Sequence, residues 1–164
     1  MNELANQEII DYKLWGGIYL PSIKASINAG HKQIIADAYE NDLPEVCVAE
    51  DDIKFFGKGA WQYYLDNKPE DFDIYLGMFF MGDPNERNEL TYFNGMTLYT
   101  VSKNFYPTFL TLPNDEHIDR ALAGKGKYVC CPKFVCTQYD GFSANTGKEE
   151  TYENLIQGRN LFNG

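Results

Sequence analysis

One stretch, Val46-Cys47-Val48-Ala49-Glu50-Asp51-Asp52, indicates both the fold class and the chemistry of this chain. Its first four residues form a continuous apolar run, which is typical of a strand buried on both faces in a parallel sheet. Ligands of open α/β sheets bind in the crevice outside the carboxyl ends of the strands. Neighbouring carboxylates at such an end repel one another unless a cation or a hydrogen-bond donor compensates them. The stretch therefore predicts a site where a divalent cation holds a phosphate group; the alternative is a solvated acidic turn.

Length and composition predict one folded domain over residues 1–164. Apolar residues make up 44% of the chain, which is enough to form a core. The formal net charge of −10 argues against nucleic-acid binding, because no cluster of Lys and Arg is present to replace counterions along a phosphate backbone. The sequence contains no apolar run of the roughly 18 residues that a membrane span needs, and its start lacks the pattern of a signal peptide.

The cysteines predict a reducing, cytoplasmic location. Cys47, Cys130, Cys131 and Cys136 lie in apolar, strand-like sequence and show no Cys-x-x-Cys spacing. They are interpreted as buried free thiols rather than as disulfides or zinc ligands. Whether the chain forms a homo-oligomer stays open at this level.

Hydrophobic periodicity predicts a mixed α/β domain in which helices flank a sheet. Residues 1–30 are an atypical segment, with a helix expected at 6–15 and a short strand at 18–20. Residues 147–164 are interpreted as a polar tail with a helix at 150–156. Between them we expect helices at 31–39 and 60–65, after Asn104 and after Asn114, and strands at 46–49, 72–76, within 90–101 and at 128–138 with a break at Pro132.

Ordered pieces of residues 30–145 resemble the glycosyltransferases of family 25, which include lipopolysaccharide and collagen galactosyltransferases. That family has a Ser-His before a helix and then a strand that ends in Glu-Asp-Asp; here Gly30-His31 precedes Glu50-Asp51-Asp52 at a similar spacing. An Asp-Ile strand, a glycine before an aromatic strand, a Pro-x-Asp region and a segment with a late Gln and Ser follow in the family's order. The matching residues are Asp73-Ile74, Gly95 through Ser102, Pro113 through Asp119, and Pro132, Gln138 and Ser143.

The resemblance implies a small GT-A-like fold of the nucleotide-diphospho-sugar transferase type. It implies transfer of a hexose, such as galactose, from a UDP-hexose to a saccharide or other hydroxyl acceptor, as in lipopolysaccharide biosynthesis. It also implies Mn²⁺ or Mg²⁺ as the cofactor. The implied site residues are the metal ligands Asp52 and His117, the donor-binding residues Glu50, Asp51, His31 and Gln138, and the catalytic base Asp119 with Asp115 as second candidate.

Helical geometry bears on the choice of base. If a helix begins at Asn114, Asp115 and Asp119 lie four residues apart and share a face, whereas His117 and Asp119 diverge. The alternative is that these residues form an ordinary solvated helix face. His31, expected at a helix start, has a structural role as its alternative.

The sequence departs from the family in two places. Gly30 stands where the family has Ser, and residues 1–30 replace a longer portion with a first strand and an Arg-bearing loop at the nucleotide. We therefore expect residues 18–20 to form a replacement strand beside residues 46–49 or a neighbouring strand.

Other hypotheses remain beside the glycosyltransferase. One is a non-catalytic relic of the fold that binds carbohydrate or serves as a structural subunit, and another is a metal-dependent phosphohydrolase without further motifs behind it. Aromatic residues make up 15% of the chain. Trp61, Tyr99 and Tyr139 could stack on a sugar, but core packing is the favoured interpretation for each.

Overall fold

The computed structural model describes residues 3–143 and 146–164. It shows a mixed α/β arrangement with a mixed five-stranded sheet and helices, which confirms the predicted fold class at this level. Within the described part, no helix has the length and apolar character needed to cross a bilayer. In chain order the elements are α1 (Glu3–Asn6), α2 (Ile23–Glu40), β1 (Glu45–Ala49), β2 (Ile53–Phe55), α3 (Ala60–Asp66), β3 (Ile74–Leu76), β4 (Glu89–Leu90), β5 (Leu98–Ser102), α4 (Tyr106–Leu110), α5 (Ile118–Ala121), β6 (Tyr128–Cys130), β7 (Cys136–Gln138), β8 (Gly141–Ser143) and β9 (Lys148–Glu150).

The main sheet has the strand order β1-β5-β3-β6-β4. Its β3–β6 pair is parallel, and the other pairs are antiparallel. Every residue of β3 and β6 is buried, so the centre of the sheet is covered on both faces. Two further pairs, β2–β7 and β8–β9, form two-stranded sheets.

The prediction that residues 46–49 form a parallel strand buried on both faces is wrong. They belong to β1, an edge strand that pairs antiparallel with β5. Val48 is buried, whereas Cys47 and Ala49 on the other face are exposed. Small side chains expose little apolar area, so a short apolar run is compatible with a half-exposed edge strand.

The acidic residues nevertheless follow the end of a strand, as expected. Glu50 continues the ladder, since its N–H donates to the carbonyl of Thr97 over 2.9 Å. Asp51 and Asp52 then form a tight turn into β2, a strand that the sequence did not predict.

Helix α2 is longer than predicted. The hydroxyl of Ser22 caps its N-terminus by accepting from Ala25 N–H. The helix ends before Asn41 and Asp42, as predicted. His31 therefore lies in the middle of the helix, and its predicted place at a helix start is wrong. The buried residues of α2 recur every three or four positions, and they are Asn28, His31, Ile35 and Ala38.

The N-terminal expectations are also corrected. A helix forms at Glu3–Asn6, whereas residues 9–20 form neither the predicted helix nor the predicted strand. This segment runs along α2, held by an ion pair of 3.1 Å between Lys13 and Asp37 and by a hydrogen bond of 3.0 Å from Gln33 to Gly16 O. Tyr19, in the expected strand, is 96% exposed. Residues 18–20 are therefore not a strand beside β1.

The second half of the chain departs from the predicted helix boundaries. Asn114 does not cap a helix, because α5 begins at Ile118 after an extended His117 (φ −62, ψ 130). Asn104 lies inside a 3-10 turn, Lys103–Phe105, and α4 follows it with Pro107 in its first turn. The expected strand at 128–138 divides into β6 and β7 around Pro132, as predicted.

The C-terminal residues return to the body of the protein. The predicted helix at 150–156 is a 3-10 turn, Tyr152–Ile156, that follows β9. Phe134 N–H donates to Asn160 O over 2.8 Å, and Phe162 N–H donates to Phe134 O over 2.9 Å. Because Ile156 is buried in the core, this segment packs against the rest of the protein and is not a solvated tail.

Candidate functional site

A cleft of about 810 Å³ opens between α2, the β1–β2 turn, the start of α5 and the segment after β7. Asp115 does not line it, because this residue lies exposed on the bend before α5. Seven of the residues implied by the resemblance do line the cleft, and they are His31, Glu50, Asp51, Asp52, His117, Asp119 and Gln138.

Gln138 connects two of the carboxylates. Pairing of β2 with β7 places Ile53 opposite Gln138, next to the acidic turn. The Gln138 side-chain nitrogen donates to Glu50 Oε2 over 2.7 Å and lies 3.2 Å from Asp52 Oδ1. One amide group therefore offers hydrogen atoms to both carboxylates and partly offsets their repulsion.

Burial and mutual repulsion shift the titration of these acids. Burial raises the pKa of Glu50 to about 7, and the nearby Asp52 carboxylate adds to the effect. Burial also raises the pKa of Asp52, with Asp51 contributing in the same direction and the Gln138 hydrogen bond opposing it. A carboxyl group with a pKa near 7 is suited to proton transfer at neutral pH. The hydrogen bonds from Gln138 therefore offset only part of the repulsion among the carboxylates of the turn.

His31 approaches the cluster from α2. Its Nδ1 lies 2.7 Å from the hydroxyl of Tyr99, and its Nε2 lies 3.8 Å from Glu50 Oε1. Burial lowers the pKa of His31 to about 4 and raises that of Tyr99 well above its usual range. At neutral pH both groups are therefore uncharged, and in the tautomer in which the phenol donates to Nδ1 the ring carries its proton on Nε2, which faces Glu50.

Asp119 is oriented by the backbone. Its Oδ2 accepts from Gly95 N–H over 3.1 Å, and its Oδ1 accepts from Arg120 N–H over 2.8 Å. A helix that began at Asn114 would turn His117 and Asp119 to different sides, but α5 begins at Ile118. Since the helix begins one residue after His117, both side chains line the cleft.

Helix α2 also holds the bend before α5 through contacts that the sequence did not predict. The buried Asn28 side chain donates to Pro113 O over 3.1 Å and to Glu116 O over 2.7 Å. One turn further along, Lys32 donates to Asn114 Oδ1 over 2.6 Å. In the sequence, Asn28 is a polar residue at a position on the buried side of α2. Periodicity alone interprets such a residue as a break in the apolar stripe of the helix.

The segment after β7 adds residues for which no motif existed. Asp140, Phe142, Glu150 and Tyr152 all line the cleft. The Tyr152 ring stacks on Phe80, with centroids 5.5 Å apart and planes at 25°. No local sequence pattern could indicate this wall, because its placement depends on contacts with distant strands.

The earlier aromatic candidates divide into core and cleft. Tyr99 is fully buried, and Trp61 stacks on the core residue Tyr64 with centroids 5.6 Å apart. Core packing is therefore the correct interpretation for these two residues. Tyr139 is 42% exposed and lines the cleft.

The donor set suits a hard cation that is shared with a ligand. Within residues 3–143 and 146–164, no three His, Cys, Asp or Glu side chains are gathered into a ready-made metal site. Mg²⁺ in phosphate-processing sites is commonly held by one or two carboxylates together with substrate phosphates. The half-buried Asp52 and the exposed Asp51 beside it supply carboxylates of this kind. These residues therefore fit a cation that a phosphate ligand helps to hold.

Comparison with models of known protein families and with curated protein sequences found no match to this chain. The resemblance to family 25 glycosyltransferases therefore rests on the quoted residues. The function that it implies is a proposal.

Proposed function

We propose that this protein is a metal-dependent glycosyltransferase with a GT-A-like domain, which transfers a hexose from a UDP-hexose to a saccharide hydroxyl. The observation that best supports the proposal is the convergence of separated sequence pieces. His31, the Glu50–Asp52 turn, Asp119 and Gln138 are far apart in the chain and line one cleft. If the matches to the family were unrelated coincidences, there would be no reason for these residues to line the same cleft.

The acidic turn would receive the donor diphosphate. Asp52, with Asp51 beside it, would hold Mn²⁺ or Mg²⁺, and the bound cation would neutralise charge on the departing nucleotide diphosphate. Glu50 and Gln138 form a hydrogen-bonded pair next to this position, and the pair can bind hydroxyl groups of the ribose or the sugar.

Asp119 is the proposed base. An inverting transferase needs a group that removes the proton of the acceptor hydroxyl as the new bond forms. The Gly95 N–H fixes one carboxylate oxygen of Asp119, so the orientation of the carboxylate does not depend on the ligand. Glu50 competes for this role because its pKa of about 7 also suits proton transfer.

Calorimetry of UDP binding tests the proposal. We expect Mn²⁺ to strengthen UDP binding to the wild-type protein and Asp52→Asn to abolish that gain. The matched control is Asp66→Asn, which removes an exposed carboxylate from α3, outside the cleft. Equal UDP affinity with Mn²⁺ and with a chelator would reject the metal-dependent donor site.

A specific observation favours the alternative, a non-catalytic protein that binds carbohydrate. Residues 9–20 run along α2 and do not supply a strand beside β1 that could form a wall of the donor site. The discriminating measurement is turnover of UDP-galactose, UDP-glucose and their N-acetyl derivatives, followed by chromatography. Failure to hydrolyse or transfer from every one of these donors, in a protein that still binds saccharide, would establish the alternative.

A further inference from the structure

One wall of the cleft is aromatic and differs in character from the acidic turn. We define the aromatic wall as Phe80, Tyr139, Phe142 and Tyr152, all of which line the cleft. Phe142 is 68% exposed and Tyr139 is 42% exposed, although both side chains are large and apolar over most of their surface. Exposed aromatic residues grouped in a concave surface mark ligand sites more often than isolated ones do.

Three rings of the aromatic wall, those of Phe80, Tyr139 and Tyr152, are held in place before any ligand arrives. Tyr152 stacks on Phe80 at a centroid distance of 5.5 Å, and its N–H donates to Asp140 Oδ1 over 2.9 Å. The hydroxyl of Tyr139 donates to the carboxylate of Glu3. A ligand that stacks on ordered rings pays little conformational entropy, which favours binding.

The aromatic wall is continuous with the proposed donor carboxylates. Tyr139 directly follows Gln138, the residue that bonds Glu50, and Tyr139 N–H donates to Asp52 O over 2.8 Å. The Tyr152 side chain lines the same cleft as the acidic turn. A molecule stacked on the wall would therefore reach the carboxylates with one edge.

The charge of the cleft restricts what can bind there. Carboxylates dominate its lining, and they are Glu50, Asp51, Asp52, Asp119, Asp140 and Glu150. Among the described lining residues, Lys24 and Arg120 carry positive charge, and they lie on α2 and α5 rather than on the aromatic wall. Lys54 lies 5.7 Å from the Tyr139 ring centroid but is paired with Glu153 at 2.9 Å. An anionic group on the wall would meet like charge without a free cation.

We propose that the aromatic wall is the acceptor subsite and that it binds a saccharide that carries no anionic group. The apolar face of a pyranose presents polarised C–H bonds to the negative faces of the rings. Its hydroxyl groups can donate to Asp140 and Glu150 at the edge of the wall. The assignment of the wall as an acceptor subsite rests on the proposed glycosyltransferase function. Binding of a saccharide to the wall can be tested without a donor.

The experiment is an NMR titration of the ¹⁵N-labelled wild-type protein with lactose, cellobiose, maltose and N,N′-diacetylchitobiose, and with 3′-sialyllactose as the anionic counterpart of lactose. We expect at least one neutral disaccharide to bind, with shifts at residues 139–143 and 152, and 3′-sialyllactose to bind more weakly than lactose. Phe142→Ala should weaken the binding by about 3- to 10-fold, the effect of losing one stacked ring.

The control is Tyr19→Ala, which removes an aromatic ring that is 96% exposed and lies outside the cleft lining. It should leave the affinity unchanged. The inference is overturned if no neutral disaccharide binds, if Phe142→Ala binds as tightly as the wild type, or if 3′-sialyllactose binds as well as lactose. Saccharide binding in a protein that does not bind UDP would reject the donor site alone, whereas UDP binding without saccharide binding would reject the aromatic wall alone.

Discussion

The side-chain amide of Gln138 lies between two carboxylates, 2.7 Å from Glu50 Oε2 and 3.2 Å from Asp52 Oδ1. The hydrogen bonds join the end of β7 to the turn that follows β1, two places 86 to 88 residues apart in the sequence. Gln138 also marks the boundary between the acidic turn and the aromatic wall, because Tyr139 is the next residue. A neutral amide thus stabilises a cluster of like charges, and its removal should change the pKa values of these carboxyl groups.

Gln138→Leu should raise the pKa of Asp52, because the hydrogen bond from Gln138 favours the ionised carboxylate. Loss of the donor from a half-buried pair of acids should also lower the free energy of unfolding by about 1–3 kcal/mol. Carboxyl ¹³C NMR titration measures the first effect, and urea denaturation measures the second. The control is Gln62→Leu, which removes an exposed hydrogen bond of 2.8 Å to Asp66. Equal effects of the two substitutions would contradict the special position of Gln138.

The pair of His31 and Glu50 should make opposite contributions to the pH dependence of stability. The folded-state pKa of His31 is lowered from 6.5 to about 4, so the unfolded chain takes up this proton first and stability is lost as pH falls below 6.5. The loss amounts to about 3 kcal/mol once the pH approaches 4. Glu50 has a folded-state pKa raised from 4.5 to about 7, so its contribution increases stability as pH falls from 7 towards 4.5.

Single substitutions should separate these opposing slopes. We expect His31→Asn to become more stable, relative to wild type, as pH falls from 7 to 4.5, whereas Glu50→Gln should become less stable in the same interval. The measurement is the free energy of unfolding from urea melts at several pH values. A difference between wild type and His31→Asn that does not change with pH would show that the imidazole is not held neutral in the folded state.

The position of the acidic cluster could be predicted from sequence because it depends on local order. An apolar run followed by three acids places carboxylates at a strand end whichever strand it pairs with. The pairing itself could not be predicted, since β1 gains its partner β5 from a segment about fifty residues later. The prediction of a buried parallel strand failed because small apolar residues are tolerated on an edge as well as in the centre of a sheet.

Distance along the chain also explains why the aromatic wall was missed. Tyr152 reaches the cleft because the following residues pair with Phe134 and because Asp140 accepts from its N–H. These contacts leave no periodic pattern in a polar segment. The misplaced start of α5 has a related cause. Asn28 and Lys32 hold residues 112–116 in an irregular bend, so tertiary contacts overrule the capping signal of Asn114.

Substitution of the candidate bases should separate their roles. If Asp119 takes the acceptor proton, Asp119→Asn should reduce turnover of a UDP-hexose by about 10²–10⁴-fold and leave UDP affinity nearly unchanged, because a general base acts in the transition state. If Glu50 is the base instead, the pH–rate profile of the wild type should show an ionisation near pH 7, and this ionisation should be absent from the profile of Glu50→Gln. Full activity of Asp119→Asn would reject its assignment, and pH–rate profiles of both variants identify the replacement.

Gly30 offers a substitution that should stabilise the fold. It lies inside α2, and a Cβ built there meets nothing within 4 Å. Gly30→Ala should raise the free energy of unfolding by about 0.5–1 kcal/mol, because alanine loses less backbone entropy on entering a helix. Urea denaturation measures the change, and a loss of stability would show that the α2 surface near His31 cannot accept a methyl group.

Gly95 should respond in the opposite direction, and with consequences for both sides of the cleft. Its φ is +100°, and a Cβ would lie 2.6 Å from Cδ2 of the Phe80 ring. Its N–H also holds Asp119 Oδ2 at 3.1 Å. Gly95→Ala should therefore cost roughly 1–3 kcal/mol through backbone strain, with more from the displaced ring.

The effect of Gly95→Ala on ligands distinguishes it from simple destabilisation. A shifted Phe80 disturbs its stack with Tyr152, and a shifted N–H releases Asp119. We therefore expect Gly95→Ala to weaken disaccharide binding at a temperature where the variant remains folded by circular dichroism. Gly17→Ala is the control, because a Cβ at Gly17 meets nothing within 4 Å and this position has no left-handed backbone conformation. A change in unfolding free energy below about 0.5 kcal/mol for Gly95→Ala, the range of ordinary surface substitutions, would contradict the close approach of residue 95 to Phe80.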